Sequence, residues 1–309
     1  MTELILHQYE GSPFAEKARL MLGFKGLAWR AVAIPQIMPK PDLVALTGGY
    51  RKTPVLQVGA DVYCDTALIA RRLEQEAPEP TLFPAAAPLA PMLAQWADTT
   101  LFWTMIPVAM QPAGIAKIFA GVGPEVVKAF GADRASFTSG MRRQSFVDAS
   151  ANLGLILARF ESQLGDGRRF LFGDAASIAD FSLAHNLWFL RRAGLREAWI
   201  DRHGSVSAWF DRVLGFGHGT SRPLDAAQAL AIAAAAPGHA ACEVGPGLGF
   251  EAGAAVTVAA TDYGVDPVAG RLVGLTAEEV VVERRDERAG AVHVHFPRTG
   301  YQIRKQEAA

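Results

Sequence analysis

Length, composition and charge exclude several classes of protein before any motif is considered. The chain has 309 residues, of which 50% are hydrophobic, so it can bury a large core in two or three domains. Its 30 Lys and Arg residues and 31 Asp and Glu residues leave a net charge of −1, which gives no electrostatic reason to expect a nucleic-acid or anionic-membrane partner.

Targeting signals and cysteine usage bear on where the protein is expected to be found. No apolar run approaches the ~18 residues that a bilayer-spanning helix needs. The start of the chain is typical of a first strand and lacks the pattern of a signal peptide. The two cysteines, Cys64 and Cys242, do not form a CxxC pair. We therefore expect no membrane partner and a reducing, cytoplasmic location.

The first predicted elements are a strand over residues 4–9 and a helix that begins after Ser12. Ser12 is a good N-cap, and Pro13 is a good first helical residue because it needs no N–H there. The helix is amphipathic, with apolar residues at Phe14, Ala18, Met21 and Leu22. A hydroxyl at a helix N-terminus lies beside free N–H groups and a positive dipole end, which suits a thiolate or another anion.

The next elements complete an α/β unit over residues 1–77. A strand is predicted over 28–33, and Thr53-Pro54 opens a strand that turns at Gly59-Ala60 and returns to Cys64. Asp65-Thr66 then begins a helix that extends to about Glu76. Residues 78–91 are rich in proline and are predicted to form a stiff linker.

Residues 92–237 are predicted to be all-helical. Helices are expected at 92–110, 125–130, 141–164, 177–192, 205–214 and 224–236. Ser177 and Asp180 have the spacing of a capping box, with Asp in the place of Glu or Gln.

Residues 250–306 are predicted to form a small β-meander or barrel packed on the helical domain. Five short strands are expected, at 254–260, 268–275, 279–285, 291–296 and 301–304. His293 and His295 alternate with apolar residues, so they share one face, which we interpret as an exposed polar face. Two histidines are short of the three or four ligands of a usual metal site, and no metal is expected.

Three motifs taken together resemble the glutathione transferase (GST) family. They are Ser12-Pro13-Phe14-Ala15-Glu16-Lys17, Thr53-Pro54-Val55-Leu56 and Asp65-Thr66, in this order and spacing. The first is similar to the motif of the omega class, with Ser12 in place of the omega cysteine. The resemblance implies a thioredoxin-like N-terminal domain and an all-α C-terminal helical domain. It covers about 235 residues, and the small all-β extension predicted from the strand pattern lies beyond it.

The resemblance also implies roles for single residues. Glutathione would be the co-substrate, its thiolate stabilised by Ser12 or alternatively by Tyr9. Thr53 and a cis Pro54 would bind its cysteinyl backbone, Asp65 and Thr66 its γ-glutamyl end, and Lys52 its glycyl carboxylate. The pocket for an apolar electrophile would contain Phe102, Trp103 and Met105, although their helical spacing is also typical of core residues.

The function expected from this resemblance is conjugation of glutathione to an apolar electrophile by a cytoplasmic homodimer. Serine cannot form a mixed disulfide, so the thiol-reductase chemistry of omega enzymes is not expected. Two alternatives stay open. One is a non-catalytic scaffold that binds a partner through its β extension, and the other is a glutathione-dependent lyase, isomerase or dehalogenase.

Overall fold

A computed structural model describes residues 3–306 of the chain. The N-terminal part is a thioredoxin-like α/β unit in which hydrophobic strands alternate with amphipathic helices. Its elements are β1 (Leu4–Gln8), α1 (Pro13–Phe24), β2 (Ala28–Ala33), α2 (Pro41–Thr47), β3 (Val55–Val58), β4 (Asp61–Cys64) and α3 (Thr66–Glu76).

The middle part is helical, as expected. Its elements are α4 (Ala90–Trp96), α5 (Phe102–Ala109), α6 (Pro112–Ile118), α7 (Pro124–Phe137), α8 (Phe146–Leu164), α9 (Ile178–Arg192), α10 (Gly204–Leu214), the short strand β5 (Thr220–Pro223) and α11 (Ala226–Ala234). A π-helical segment at Ala97–Leu101 joins α4 to α5, so the predicted helix over 92–110 is continuous. A second π-helical segment, Arg196–Ile200, precedes α10.

The C-terminal part consists of five strands, close to the predicted ranges. They are β6 (Ala255–Ala260), β7 (Val268–Leu275), β8 (Glu279–Asp286), β9 (Gly290–Pro297) and β10 (Tyr301–Lys305). The strands β6 to β9 form an antiparallel meander, in which each strand pairs with the next. The strand β10 returns to pair antiparallel with β6.

These strands do not form a separate unit on the helical domain, which corrects the expected packing. Strand β9 pairs parallel with β4, so one ten-stranded sheet has the order β10-β6-β7-β8-β9-β4-β3-β1-β2-β5. The short strand β5 extends the opposite edge by pairing with β2. The C-terminal strands thereby cover the edge of β4, which would otherwise present unpaired N–H and C=O groups.

The sheet separates two hydrophobic cores because successive side chains in a strand point to opposite faces. In β1, Leu4 and Leu6 face α1, α3 and the helical domain, whereas Ile5 lies in a second core. That second core is formed by α2, α11 and the apolar face of the C-terminal strands. The five-stranded extension and the thioredoxin-like unit are therefore held together by a shared core as well as by strand pairing.

The histidine-bearing face of β9 is buried, which corrects the expectation of an exposed polar face. His293 is 8% exposed and His295 is 3% exposed. The reason is the pairing with β4, which sets Asp61 opposite His293 and Tyr63 opposite His295. None of the helices within residues 3–306 has the length and apolar character required to cross a membrane.

Candidate functional site

One large cavity lies where the three parts of the chain meet. Its volume is about 920 Å³, and its walls come from the β1–α1 junction, residues 50–54, the start of α3, helices α4 to α7, the end of α9 and two C-terminal segments. Those C-terminal segments are Asp262-Tyr263 and residues 299–301. The β extension therefore contributes to the site.

Ser12 is at the N-terminus of α1 and lines this cavity. Its Oγ accepts a hydrogen bond from the Ala15 N–H at 3.2 Å, so it is the N-cap, and it is 2% exposed. Capping uses the oxygen as an acceptor and leaves the hydroxyl proton available for donation. The capping role and the thiolate-stabilising role are therefore compatible uses of one hydroxyl.

Tyr9 also lines the cavity, but its hydroxyl points towards α7. It accepts a hydrogen bond from Arg134 Nη2 at 3.3 Å, and Arg134 also donates to the Gln36 carbonyl at 3.0 Å. Asp133, on the same helix, binds Arg51 at 2.9 Å. These contacts hold α7 over the cavity from the side of the thioredoxin-like unit.

Thr53 and Pro54 line the cavity, and the peptide bond between them is cis. Behind them lies Lys40, whose Nζ donates to Thr53 Oγ1 at 3.2 Å and whose side chain is buried. Burial, and then the charge of Arg134, lower the pKa of Lys40 to about 8. Within residues 3–306, Lys40 has no carboxylate within 4.0 Å, whereas the other buried lysines, Lys17 and Lys25, each have one.

Lys52 lines the cavity as predicted, but its charge is already compensated. Its Nζ is 2.6 Å from Asp262 Oδ1, and it lies 4.2 Å from the ring centre of Tyr263. Both partners belong to the segment between β6 and β7. Lys52 therefore connects the thioredoxin-like unit to the extension, and a ligand carboxylate at Lys52 would have to share it with Asp262.

Asp65 is the N-cap of α3 and has φ 75°, ψ 139°. It is the single non-glycine residue with positive φ in the described part of the chain, and such backbone strain concentrates at functional sites. Asp65 Oδ1 accepts from the Ala67 N–H at 2.9 Å, and Oδ2 accepts from the Tyr301 hydroxyl at 3.1 Å. The Tyr301 oxygen lies 2.9 Å from that of Tyr50, so Tyr50 completes the chain as a donor.

Thr66 is the first residue of α3, is buried, and lines the cavity beside Asp65. Its Oγ1 accepts a hydrogen bond from Lys17 Nζ at 3.0 Å, which leaves its own proton free to donate. Lys17, a residue of the first motif, is completely buried and also binds Asp98 at 2.6 Å. Burial alone would raise the pKa of Asp98, but Lys17 and then His185 outweigh it and hold the pKa below its ordinary value.

The wall opposite the thioredoxin-like unit is aromatic. Phe102 and Trp103 line the cavity, as predicted, together with Phe130, Phe137 and Tyr263. Met105 is fully buried and does not line the cavity. The Trp103 ring meets that of Tyr263 edge-on at 5.0 Å, and within residues 3–306 its buried Nε1–H has no acceptor.

Sequence reasoning missed the site residues that come from distant segments. Tyr50 precedes the Thr53-Pro54 motif without belonging to it, and the C-terminal strands bring Tyr301 to Asp65 and Tyr263 to the cavity wall. Lys17 did carry a signal, because it belongs to the first motif and lies in an amphipathic helix, five residues after the Ser12 cap. Cys64 lies next to Asp65, but burial raises the pKa of its thiol and keeps it from acting as a nucleophile.

Comparisons with known proteins match the N-terminal and helical parts of the chain. Residues 6–81 match the family model "Glutathione S-transferase, N-terminal domain", and residues 149–212 match "Glutathione S-transferase, C-terminal domain". A crystal structure of a GST-like protein from Pseudomonas syringae is 48% identical over 99% of this chain and 100% of that chain, with a TM-score of 0.79. No match is found among curated proteins.

Two other solved structures are similar over a smaller part of the chain. A glutathione S-transferase from Rhodospirillum rubrum is 26% identical, covers 68% of this chain and 87% of its own length, and has a TM-score of 0.51. The glutathione transferase GSTFuA3 from Phanerochaete chrysosporium is 20% identical, covers 69% of this chain and 97% of its own length, and has a TM-score of 0.55, a likeness of fold. The Pseudomonas protein thus aligns across the strand-rich extension, while these two leave about a third of the chain unmatched.

Proposed function

The chain belongs to the glutathione transferase superfamily, and on that basis we propose that it binds glutathione, stabilises its thiolate and transfers it to an apolar electrophile. One observation carries the proposal. A single cavity of about 920 Å³ is lined by Ser12 at a helix N-terminus, by the Thr53–Pro54 pair and by Asp65 with Thr66. A deep pocket over Ser12 favours an enzyme over a scaffold that binds partners through its surface.

The γ-glutamyl end of glutathione carries a carboxylate and an ammonium group. In this proposal, the Thr66 hydroxyl and the free N–H groups at the start of α3 take the carboxylate. Asp65 takes the ammonium, and its carboxylate is oriented for this by the Tyr301 hydroxyl at 3.1 Å. The extension thereby helps to form the binding half of the site.

The glycyl carboxylate has two candidate partners. Lys52 was the residue expected from the sequence, but its partner Asp262 lies only 2.6 Å away. Lys40 lies behind Thr53, and its buried ammonium has no carboxylate within 4.0 Å in the described residues. Lys40 does not line the cavity, so we propose that it acts on this end of the site through Thr53, whose hydroxyl accepts a hydrogen bond from its Nζ.

Ser12 acts on the sulfur. A free thiol has a pKa of about 8.5, so few molecules are ionised at neutral pH. A hydrogen bond donated by Ser12 and the positive end of α1 both favour the anion, and the released proton passes to water. The thiolate then forms the bond to the electrophilic carbon, whose leaving group departs with its electron pair.

The aromatic wall is the proposed electrophile subsite. Phe102, Trp103 and Phe137 offer an apolar aromatic surface. The same thiolate could serve a glutathione-dependent lyase, isomerase or dehalogenase, and product analysis separates these reactions. We also propose that the protein is a cytoplasmic homodimer, as is usual in the superfamily.

A calorimetric titration with reduced glutathione tests the binding half of the proposal. We expect saturation at one site per chain, and at least about tenfold weaker binding in Thr66→Val, because a hydrogen bond to a charged group contributes about 1.5–3 kcal/mol. Thr276→Val is a matched control, since that hydroxyl caps a turn through the Glu278 and Glu279 amides away from the cavity. Absence of binding at millimolar glutathione would contradict the proposal.

A further inference from the structure

A second cluster of chemistry-bearing side chains lies where β9 joins β4. It contains Asp61 from β4, His293 from β9, and His239 and Cys242 from the segment between α11 and β6. None of the four lines the cavity described above. They come from three distant parts of the chain, which is why sequence spacing indicated only the pair His293 and His295.

The distances within the cluster suit one ion. Asp61 Oδ1 is 3.9 Å from His293 Nδ1 and 4.0 Å from His239 Nδ1, and Cys242 Sγ is 4.0 Å from His293 Nδ1. With metal–nitrogen bonds of about 2.0–2.1 Å and a metal–sulfur bond of about 2.3 Å, the donors of a tetrahedral site lie about 3.3–3.6 Å apart. These three donor pairs are therefore about 0.3–0.7 Å wider than in a bound site, and Asp61, His239 and His293 each place one ligand atom within 4.8 Å of the other two.

Hydrogen bonds behind the cluster hold Asp61 in place. Its Oδ1 is 2.9 Å from His295 Nε2, and its Oδ2 accepts from the Ala240 N–H at 2.8 Å. The other nitrogen of His295 is 2.6 Å from Glu279 Oε1. Chains of carboxylate and imidazole of this kind orient metal ligands in proteins.

The segment that carries His239 and Cys242 is attached at a defined position. Its backbone bonds to Leu275 of β7 from both Glu243 and Gly245. A side chain at Gly274 would come within 2.9 Å of Cys242 Cβ, so this glycine leaves the space in which Cys242 lies. Cys242 is exposed and His239 is partly exposed, which gives an ion a route to the cluster.

We propose that Asp61, His239, Cys242 and His293 form a binding site for a divalent transition-metal ion of the zinc type. Thiolate, imidazole and carboxylate donors together match the ligand preferences of zinc. The His239 and His293 rings stack with centres 3.7 Å apart, so the loop residue His239 turns on binding to direct its lone pair to the ion. Four protein ligands fill a tetrahedron, so the site is structural and fastens the 237–245 segment across the β4–β9 junction.

The test is metal retention by the full-length protein. After removal of metals with a chelator and incubation with excess Zn²⁺, we expect about one zinc per chain to remain on gel filtration. Reconstitution with Co²⁺ should give the thiolate-to-cobalt absorption band that reports sulfur ligation. Zinc should also raise the melting temperature.

Variants identify the ligands. Cys242→Ser should abolish the cobalt–thiolate band, and both it and His239→Asn should weaken zinc affinity at least about tenfold. Both residues lie on a surface segment, and an unchanged circular dichroism spectrum shows that the fold persists. His203→Asn, a histidine outside the cluster, should behave as the wild-type chain. Failure of the wild-type chain to retain zinc, or equal retention by the wild-type chain and both variants, would overturn the proposal.

Discussion

At the scale of single residues, the local motifs predicted residues that the fold brings together. Ser12, Thr53, Pro54, Asp65 and Thr66 all line one cavity. Their positions follow from strand ends and helix starts, which short-range sequence patterns specify. Lys40 and Tyr301 could not be predicted, because their proximity to Thr53 and Asp65 depends on tertiary packing.

The contact between Tyr301 and Asp65 gives a prediction at this scale. Tyr301→Phe removes the hydroxyl that donates to Asp65 Oδ2 at 3.1 Å and accepts from Tyr50, in a partly buried chain of hydrogen bonds. Losing one hydrogen bond to a carboxylate should weaken glutathione binding about tenfold, with a smaller effect on turnover. Steady-state kinetics with varied glutathione measure both effects. An unchanged KM for glutathione would contradict the role assigned to Tyr301.

At the scale of elements, hydrophobic periodicity predicted those helices and strands that bury one face in the core. The helix α7 extends seven residues beyond its predicted end, because it buries none of its side chains fully and so has little apolar periodicity. The strand β5 has four exposed residues and offers no alternating pattern. The capping box of α9, in contrast, is confirmed by the contacts of Asp180 with both the amide and the hydroxyl of Ser177.

The α9 cap predicts an unequal response to two similar substitutions. Asp180 is buried and also accepts from the Leu171 N–H and from Trp209 Nε1, so Asp180→Ala leaves buried donors without an acceptor. We expect a loss of about 3 kcal/mol or more in the free energy of unfolding. Asp225→Ala removes the exposed cap of α11 and should cost about 1 kcal/mol. Urea unfolding measures both, and equal losses would contradict this account.

At the scale of the whole molecule, the three parts were predicted but their connection was not. The continuity of the sheet depends on backbone hydrogen bonds between β4 and β9, which no side-chain pattern specifies. The structure buries every residue of β4, as in a strand covered on both faces and not at an open edge. The extension thus completes the core and reaches the cavity.

The shared core predicts a pH dependence of stability through His7. This side chain is buried beneath α11, where its Nε2 is 2.8 Å from Gln57 Oε1 and Gln57 donates to the Ala229 carbonyl. Burial lowers the pKa of His7 to about 4, against an ordinary value of 6.5. Between these values the unfolded chain binds a proton that the folded chain does not. The stability contributed by neutral His7 is therefore complete above pH ~6.5 and is lost as the pH falls towards 4.

The contribution of neutral His7 to the free energy of unfolding should fall by about 1.4 kcal/mol per pH unit, up to about 3 kcal/mol in all. His7→Gln keeps a donor near Gln57 but cannot titrate. Urea unfolding at a series of pH values should show a shallower decline for this variant between pH ~6 and 4.5. Parallel curves for the two proteins would show that His7 is not held neutral in the fold.

The most direct test of the central claim is the pKa of the glutathione thiol when it is bound. Thiolate absorbance in the ultraviolet, followed against pH in the saturated complex, gives this value. We predict a pKa clearly below the ordinary value of about 8.5 in the wild-type protein and a return towards that value in Ser12→Ala. Ser145→Ala is the matched control, because Ser145 caps α8 through the Asp148 N–H just as Ser12 caps α1. A bound thiol with the same pKa in the wild-type protein and in Ser12→Ala would contradict the proposed activation of glutathione by Ser12.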